Sequence, residues 1–402
     1  MKVGILTYHS ALNFGANLQT YSTYCYFKNR GYSPVIIDYV PDDLRQMYAS
    51  FPKEQEKRHY DFIYGLNISE RCRNSKDVST ILKKNRIQNV VIGSDAVVQH
   101  HPFLSRIVFP SRTVFSLSGI TSDRMFPNPF WGCFLDNCSG VNAVMMSVSS
   151  QQAKYHLFTR KTREEMLSSL SRLMYVSVRD TWTANMISYI SGGKITPPVT
   201  PDPVFAFNYN CTGIPSREYI LEKFCLPEKY IVLSLRRGRS VSDEWVKGFE
   251  HECESNGYRC VGLPFPYGYS ANNVPKVSIP IPLSPLEWYA VIKYSGGYVG
   301  HNMHTIVSAL HNSVPCYSFD QYGQRILGQF VNTKSSKIYD ILSVAGYSDY
   351  RSVSGTIFNR IPQPQYVFNK LLEFDRDKCQ LFAEKYYSQY LDMMLQIENC
   401  FV

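Results

Sequence analysis

The sequence predicts an α/β protein of two doubly wound domains facing a central cleft. Three observations predict this class. The 402-residue chain is too long for one ordinary domain. Short apolar runs alternate with helical patterns, which is the βαβ rhythm of a parallel sheet. That rhythm stops in a Gly- and Pro-containing stretch, residues 192–213, and then starts again.

Taken in order, residues 3–7 form a first buried strand, followed by a polar turn from Tyr8 to Asn17. A helix is expected over residues 18–29, closed by Gly31, and a second strand over 34–39. Residues 41–85 are polar and basic with helical stretches, and 89–92 form a strand capped by Gly93-Ser94-Asp95. Residues 100–140 read as an irregular insertion. Strands at 143–148 and 175–178 flank a helix at 163–173, and the second of them ends at Arg179-Asp180. Beyond the linker, strands at 230–235 and 258–263 precede a helix at 285–293. The run Tyr298-Val299 then leads through Gly300-His301-Asn302-Met303 into a helix starting at His304, and 314–320 form a strand. Residues 377–397 make one helical pattern with few breakers, suited to crossing back onto the first domain. The expected domains are 1–205 and 213–376, with 377–402 as the crossing helix.

Composition narrows the function. A hydrophobic fraction of 44% supports a sizeable core. Forty-two basic against 33 acidic residues give a net charge of +9. That excess suits an anionic substrate or an anionic membrane surface, though it equally describes a merely basic soluble protein. The basic residues are scattered, so no nucleic-acid partner is expected. Eleven cysteines without a CxxC pair argue for reduced thiols. The first apolar run is too short for a signal peptide and no segment is long enough to span a bilayer. A cytoplasmic location is expected, with peripheral association at the inner face of the membrane left open.

Ligands of open α/β sheets sit beyond the carboxyl ends of the strands. Asn13, Asn17, Asp95, Arg179, Arg236 and His304 all fall at such ends. His304 stands at a helix start, where unpaired N–H groups and the helix dipole favour an anion. Imidazole is also the side chain best suited to moving protons near neutral pH. Gly15 lets a backbone approach closely, although Asn13 to Asn17 alone reads as an Asn-capped helix start. Asp95 is able to take a proton from a hydroxyl or to cap the next segment. Arg179, Arg236 and Arg237 offer forks for phosphate or carboxylate, or are solvated surface groups. His301 and His304 could share a helix face, but no third ligand follows, so no metal is expected. Asp38 follows no G-x-G-x-x-G and is not read as a ribose ligand.

Taken together, these pieces resemble the polysaccharide pyruvyl transferase family. The family's N-Y-G-A-x-L-Q is matched by Asn13-Phe14-Gly15-Ala16-Asn17-Leu18-Gln19, and its G-S-D-x-x-W by Gly93-Ser94-Asp95-Ala96-Val97-Val98. S-x-R-D is matched by Ser177 to Asp180, P-D-P-x-F by Pro201 to Phe205, and S-F-H-G by Asn302-Met303-His304-Thr305. Val98 replaces the usual Trp and Thr305 the usual Gly.

The resemblance implies a GT-B-like fold of two Rossmann-like domains and transfer of pyruvate from phosphoenolpyruvate to a sugar hydroxyl pair. The product would be a pyruvate ketal on a surface polysaccharide, such as a capsule or exopolysaccharide, or on its lipid-linked precursor. Phosphoenolpyruvate would be the donor substrate, with no cofactor. His304 would be the general acid/base and Asp95 would orient or deprotonate the sugar hydroxyl. Arg179, Arg236 and Arg237 would hold phosphate or carboxylate, and Asn13, Gly15, Asn17 and Asn302 would line the cleft. A rival on the same fold is a nucleotide-sugar glycosyltransferase, for which Glu287 could bind ribose.

Overall fold

The structure, a computed structural model, describes residues 1–108, 116–235, 241–266, 275–326, 329–354 and 361–401. Arg236 and Arg237 lie outside the described residues, so the arginine cluster expected at that strand end receives no structural account.

Two parallel sheets organise the chain. The first holds β1 (Lys2–Leu6), β2 (Ser33–Ile36), β3 (Asn89–Asp95), β4 (Asn142–Val148) and β5 (Tyr175–Val178), in the order β2-β1-β3-β4-β5. The second holds β6 (Tyr230–Ser234), β7 (Arg259–Gly262), β8 (Val277–Ser278), β9 (Gly297–Gly300), β10 (Cys316–Asp320) and β11 (Arg351–Val353), in the order β8-β7-β6-β9-β10-β11. Strands β3, β6, β9 and β10 are buried from end to end, which is why they read as continuous apolar runs rather than alternating ones. In each sheet the order reverses once, between β1 and β3 and between β6 and β9. Those reversal points open the crevices in which doubly wound folds bind ligands.

Helix Phe14–Asn29 begins four residues before the expected start at residue 18. The Asn13 side chain accepts from the Gly15 and Ala16 amides at 2.9 and 3.3 Å, satisfying the first turn and allowing the helix to start early. This helix is the seam of the molecule. Phe14 stacks on Trp288 at 5.4 Å, and its N–H donates to the Pro266 carbonyl at 2.8 Å. Gln55 and the Leu283 backbone exchange two hydrogen bonds of 2.8 Å across the same seam. One apolar core therefore runs from Val3, Phe14 and Leu18 into Trp288, Met303 and Ile306.

The terminal helix, Arg376–Asn399, bridges both halves. Near its start the Cys379 thiol donates to the Leu310 carbonyl at 3.4 Å. Near its end Glu398 accepts from Tyr26 at 3.0 Å and pairs with Arg30 at 3.0 Å. Among the described residues, no helix is long and apolar enough to cross a membrane.

Candidate active site

The two reversal points face each other across a cleft of about 660 Å³, its open mouth included. From the first sheet come Tyr8, just after β1, Asp95 at the end of β3, and Gln151 after β4. From the second come Asn302 and His304 after β9, Tyr322 after β10, and Lys337. Asn13, Gln99, Arg124 and Pro266 complete much of the wall.

His304 is the second residue of helix Met303–His311. The cap residue, Asn302, makes no side-chain hydrogen bond to the first turn, and its amide donates instead to Ser234 Oγ at 3.3 Å. The leading amides are thus not closed by a side-chain cap, as an anion site requires. The imidazole is only 6% exposed, and its Nε2 has no hydrogen-bond partner. Burial pulls its pKa below the ordinary value, and the nearby Asp95 and Asp202 only partly oppose this. His304 is therefore neutral at pH 7, with one ring nitrogen available to a ligand.

Gly15 makes its close approach to a side chain of the other domain. A Cβ built there would lie 2.0 Å from His304 Cγ and 2.4 Å from its Cβ. The imidazole of one domain rests on the bare backbone of the other, and only glycine leaves room for it.

Asp95 is held in the left-handed region at φ 90° and accepts from the Ala96 amide at 2.7 Å. Burial pushes its carboxyl up, but His304, Arg179 and Lys337 outweigh burial and keep it below the usual range. Arg179 is buried and doubly engaged, with Nη1 on Asp202 at 2.8 Å and Nη2 on Asp95 at 3.5 Å. It acts as a brace that charges and orients Asp95, with little of its fork left for substrate. Asp202 in turn accepts from Gln19 and from the Val204 amide. Four of the five sequence motifs therefore join in one hydrogen-bonded chain, Gln19 to Asp202 to Arg179 to Asp95, which ends beside His304.

Lys337, the first residue of helix Lys337–Val344, was not singled out in the sequence. It is 6% exposed, lines the cleft, and holds its ammonium 4.7 Å from the Tyr322 ring centroid. Burial, and then Arg179, lower its pKa to about 8. No strand-end pattern marks it, because it enters from a helix that follows the last inner strands. Its only sequence signal is a lysine directly after Ser336, which caps the helix. Arg124 and Tyr8 were missed for similar reasons: one sits in the irregular insertion, the other inside a turn.

Two of the residues expected to meet a ligand, Asn17 and Glu287, lie elsewhere. Asn17 is fully buried, donating to the His9 carbonyl at 3.1 Å and meeting His59 Nδ1 at 2.6 Å, so it fixes the loop rather than the ligand. Glu287 completes a capping box with Ser284 and pairs with Lys223 and Tyr219, which commits both of its oxygens. His301 packs against Phe265 at 5.5 Å. Thr305 is fully buried beneath the cleft surface.

The fold and the cleft define a two-domain protein of the GT-B architecture, with its site between two Rossmann-like halves. Staphylococcus aureus MnaA in its UDP co-structure superposes with a TM-score of 0.50 at 9% identity, over 95% of this chain and 90% of that one. Glycyrrhiza uralensis UGT73P12, complexed with glycyrrhetinic acid 3-O-monoglucuronide, gives 0.51 at 8% identity, over 100% and 96%. The spinosyn forosaminyltransferase SpnP gives 0.50 at 12% identity, over 99% and 98%. At such identities the likeness is one of fold. A comparison with curated proteins returned no match. Residues 13–321 match the family described as polysaccharide pyruvyl transferase, and the chain belongs to that family.

Proposed function

We propose that the protein transfers pyruvate from phosphoenolpyruvate to two hydroxyls of one sugar, releasing phosphate and leaving a ketal on a polysaccharide or its lipid-linked precursor. The observation that carries this reading is the buried, unpartnered Nε2 of His304, flanked by Asp95 and Lys337 at a helix N-terminus without a side-chain cap. Phosphoenolpyruvate brings a phosphate and a carboxylate, and the cleft offers an ammonium and a helix N-terminus without a side-chain cap to receive them. Two C–O bonds form at the central carbon of phosphoenolpyruvate as its C–O bond to phosphate breaks; of the two hydroxyl protons, one goes to the methylene carbon and the other leaves with the phosphate. His304 is the group suited to those transfers, with Asp95 orienting the attacking hydroxyl.

Isothermal titration with phosphoenolpyruvate tests the donor. Micromolar to millimolar binding is expected below pH 8, weakening as pH rises through the Lys337 pKa of about 8. The sign follows from the charge: the ammonium form binds the anion, and it is lost above that pKa. Lys337→Met is expected to weaken binding about tenfold or more and to remove this alkaline dependence. The same substitution should raise Tm at pH 7, because the fold buries a lysine whose charged form it disfavours. Stabilisation by a nucleotide sugar and not by phosphoenolpyruvate would instead support a glycosyltransferase. Against that rival, Glu287 is already bound to Ser284 and Lys223. Glu287→Gln is expected to leave pyruvyl transfer unchanged within about twofold, measured as phosphate release.

A further inference from the structure

A second groove adjoins the cleft. Arg45, Tyr48, Lys53, Tyr60, Tyr64 and Arg71 line it together with the carboxylate of Glu56, and it encloses about 940 Å³ together with its open mouth. Tyr48 lines both this groove and the catalytic cleft, so the two spaces share a wall. We propose that the groove is a binding site for a sugar phosphate, the anionic part of a glycan whose acceptor sugar reaches the cleft beyond Tyr48. The proposal rests on the transferase reading for the role of the cleft, but its own ligand chemistry is read from the groove.

Three tyrosine rings and three cations are an unusual set for a merely solvated face. Tyr60 and Tyr64 meet edge to face at 5.6 Å, giving an amphipathic surface on which a sugar ring can lie. The wall is rigid for a stated reason. Asp38, buried at the end of the second strand region, pairs with His9 at 2.9 Å and with Arg71 Nε at 2.8 Å. Arg71 Nη2 in turn donates to the Tyr64 hydroxyl at 2.6 Å. This network fixes one side of the groove before any ligand arrives. Lys53 pairs with Glu56 at 2.8 Å, and the Arg45 guanidinium makes no ion pair among the described residues. Arg45 is therefore the cation with charge to spare, and a phosphate is the group that takes a guanidinium in bidentate fashion. A second link ties the groove to the cleft. Asp43, two residues before Arg45, accepts from the Ser122 amide and hydroxyl at 2.7 and 3.0 Å, next to the cleft residue Arg124.

The test uses calorimetry on the full chain with three probes: glucose 1-phosphate, methyl α-glucoside and inorganic pyrophosphate. Glucose 1-phosphate is expected to bind more tightly than either of the others, since it alone offers both the ring and the anion. Arg45→Ala and Tyr60→Ala should each weaken it about tenfold, while leaving phosphoenolpyruvate binding unchanged. Lys337→Met should do the reverse. Tyr64→Phe keeps the ring and should cost glucose 1-phosphate no more than about threefold. If glucose 1-phosphate binds wild type and Arg45→Ala alike, the groove is not its site. If pyrophosphate binds as tightly as glucose 1-phosphate, the site holds an anion without a sugar and the proposal falls. Should phosphoenolpyruvate fail to bind while the Arg45 effect holds, the groove stands and the donor assignment fails.

Discussion

His304→Ala is expected to lower pyruvyl transfer by about a hundredfold or more, while the protein stays folded. The structural grounds for the folded outcome are specific. The imidazole carries a buried nitrogen that no protein group meets, and a buried unpaired nitrogen costs stability. Removing it deletes packing against Gly15 but also deletes that penalty, so Tm should stay within a few degrees of wild type. Phosphate release from phosphoenolpyruvate in the presence of acceptor, paired with a thermal melt, gives both readings. The pH profile adds a sharper one. Burial lowers the His304 pKa from the ordinary 6.5, and the neutral ring is the form able to take a proton from a hydroxyl. In kcat/KM, activity should therefore fall on the acid side only below pH 6.5, as His304 protonates. A variant that turns over at the wild-type rate would remove His304 from the chemistry altogether.

Much of this architecture was legible in the sequence because both sheets are parallel and covered on both faces. Buried parallel strands are written as apolar runs, and strand ends are where the polar turn residues cluster. Asp95, Arg179 and His304 were singled out in that way. The less legible parts share a physical cause. Lys337 enters from a helix outside the strand-end pattern, and its value comes from burial beside Arg179, which no local window contains. The short strands Val277–Ser278 and Arg351–Val353 lie at the two edges of the second sheet, where two or three residues leave no periodicity to read. Asn17 misled because an amide at a strand end looks the same whether it faces a ligand or, as here, the His9 carbonyl and the His59 ring. Gly15 was picked out correctly as a point of close approach, but the approaching group is a side chain of the other domain.

That last contact yields the other large effect: Gly15→Ala is expected to damage both the fold and the site. On an open helix the change would stabilise by roughly 0.4–1 kcal/mol through the unfolded chain. Here the added methyl would stand 2.0 Å from His304 Cγ, 2.2 Å from Nδ1 and 2.4 Å from Cβ. Rotating the imidazole relieves the first two contacts but not the third, because the His304 Cβ is fixed by its own backbone. The starts of helices Phe14–Asn29 and Met303–His311 must then move apart. They are pinned by the Phe14 N–H on Pro266 at 2.8 Å and by Phe14 on Trp288, so the strain spreads along the seam between the domains. Overpacking of this kind costs roughly 1–3 kcal/mol or more, which outweighs the helix gain. Displacing the imidazole by even about 1 Å should cost transfer on the order of a hundredfold. The double variant separates strain from a general loss of structure. With His304→Gly the methyl meets none of those three atoms, so Gly15→Ala should cost far less stability in that background than in wild type. An equal cost in both backgrounds would mean that the glycine is needed for something other than the histidine resting on it.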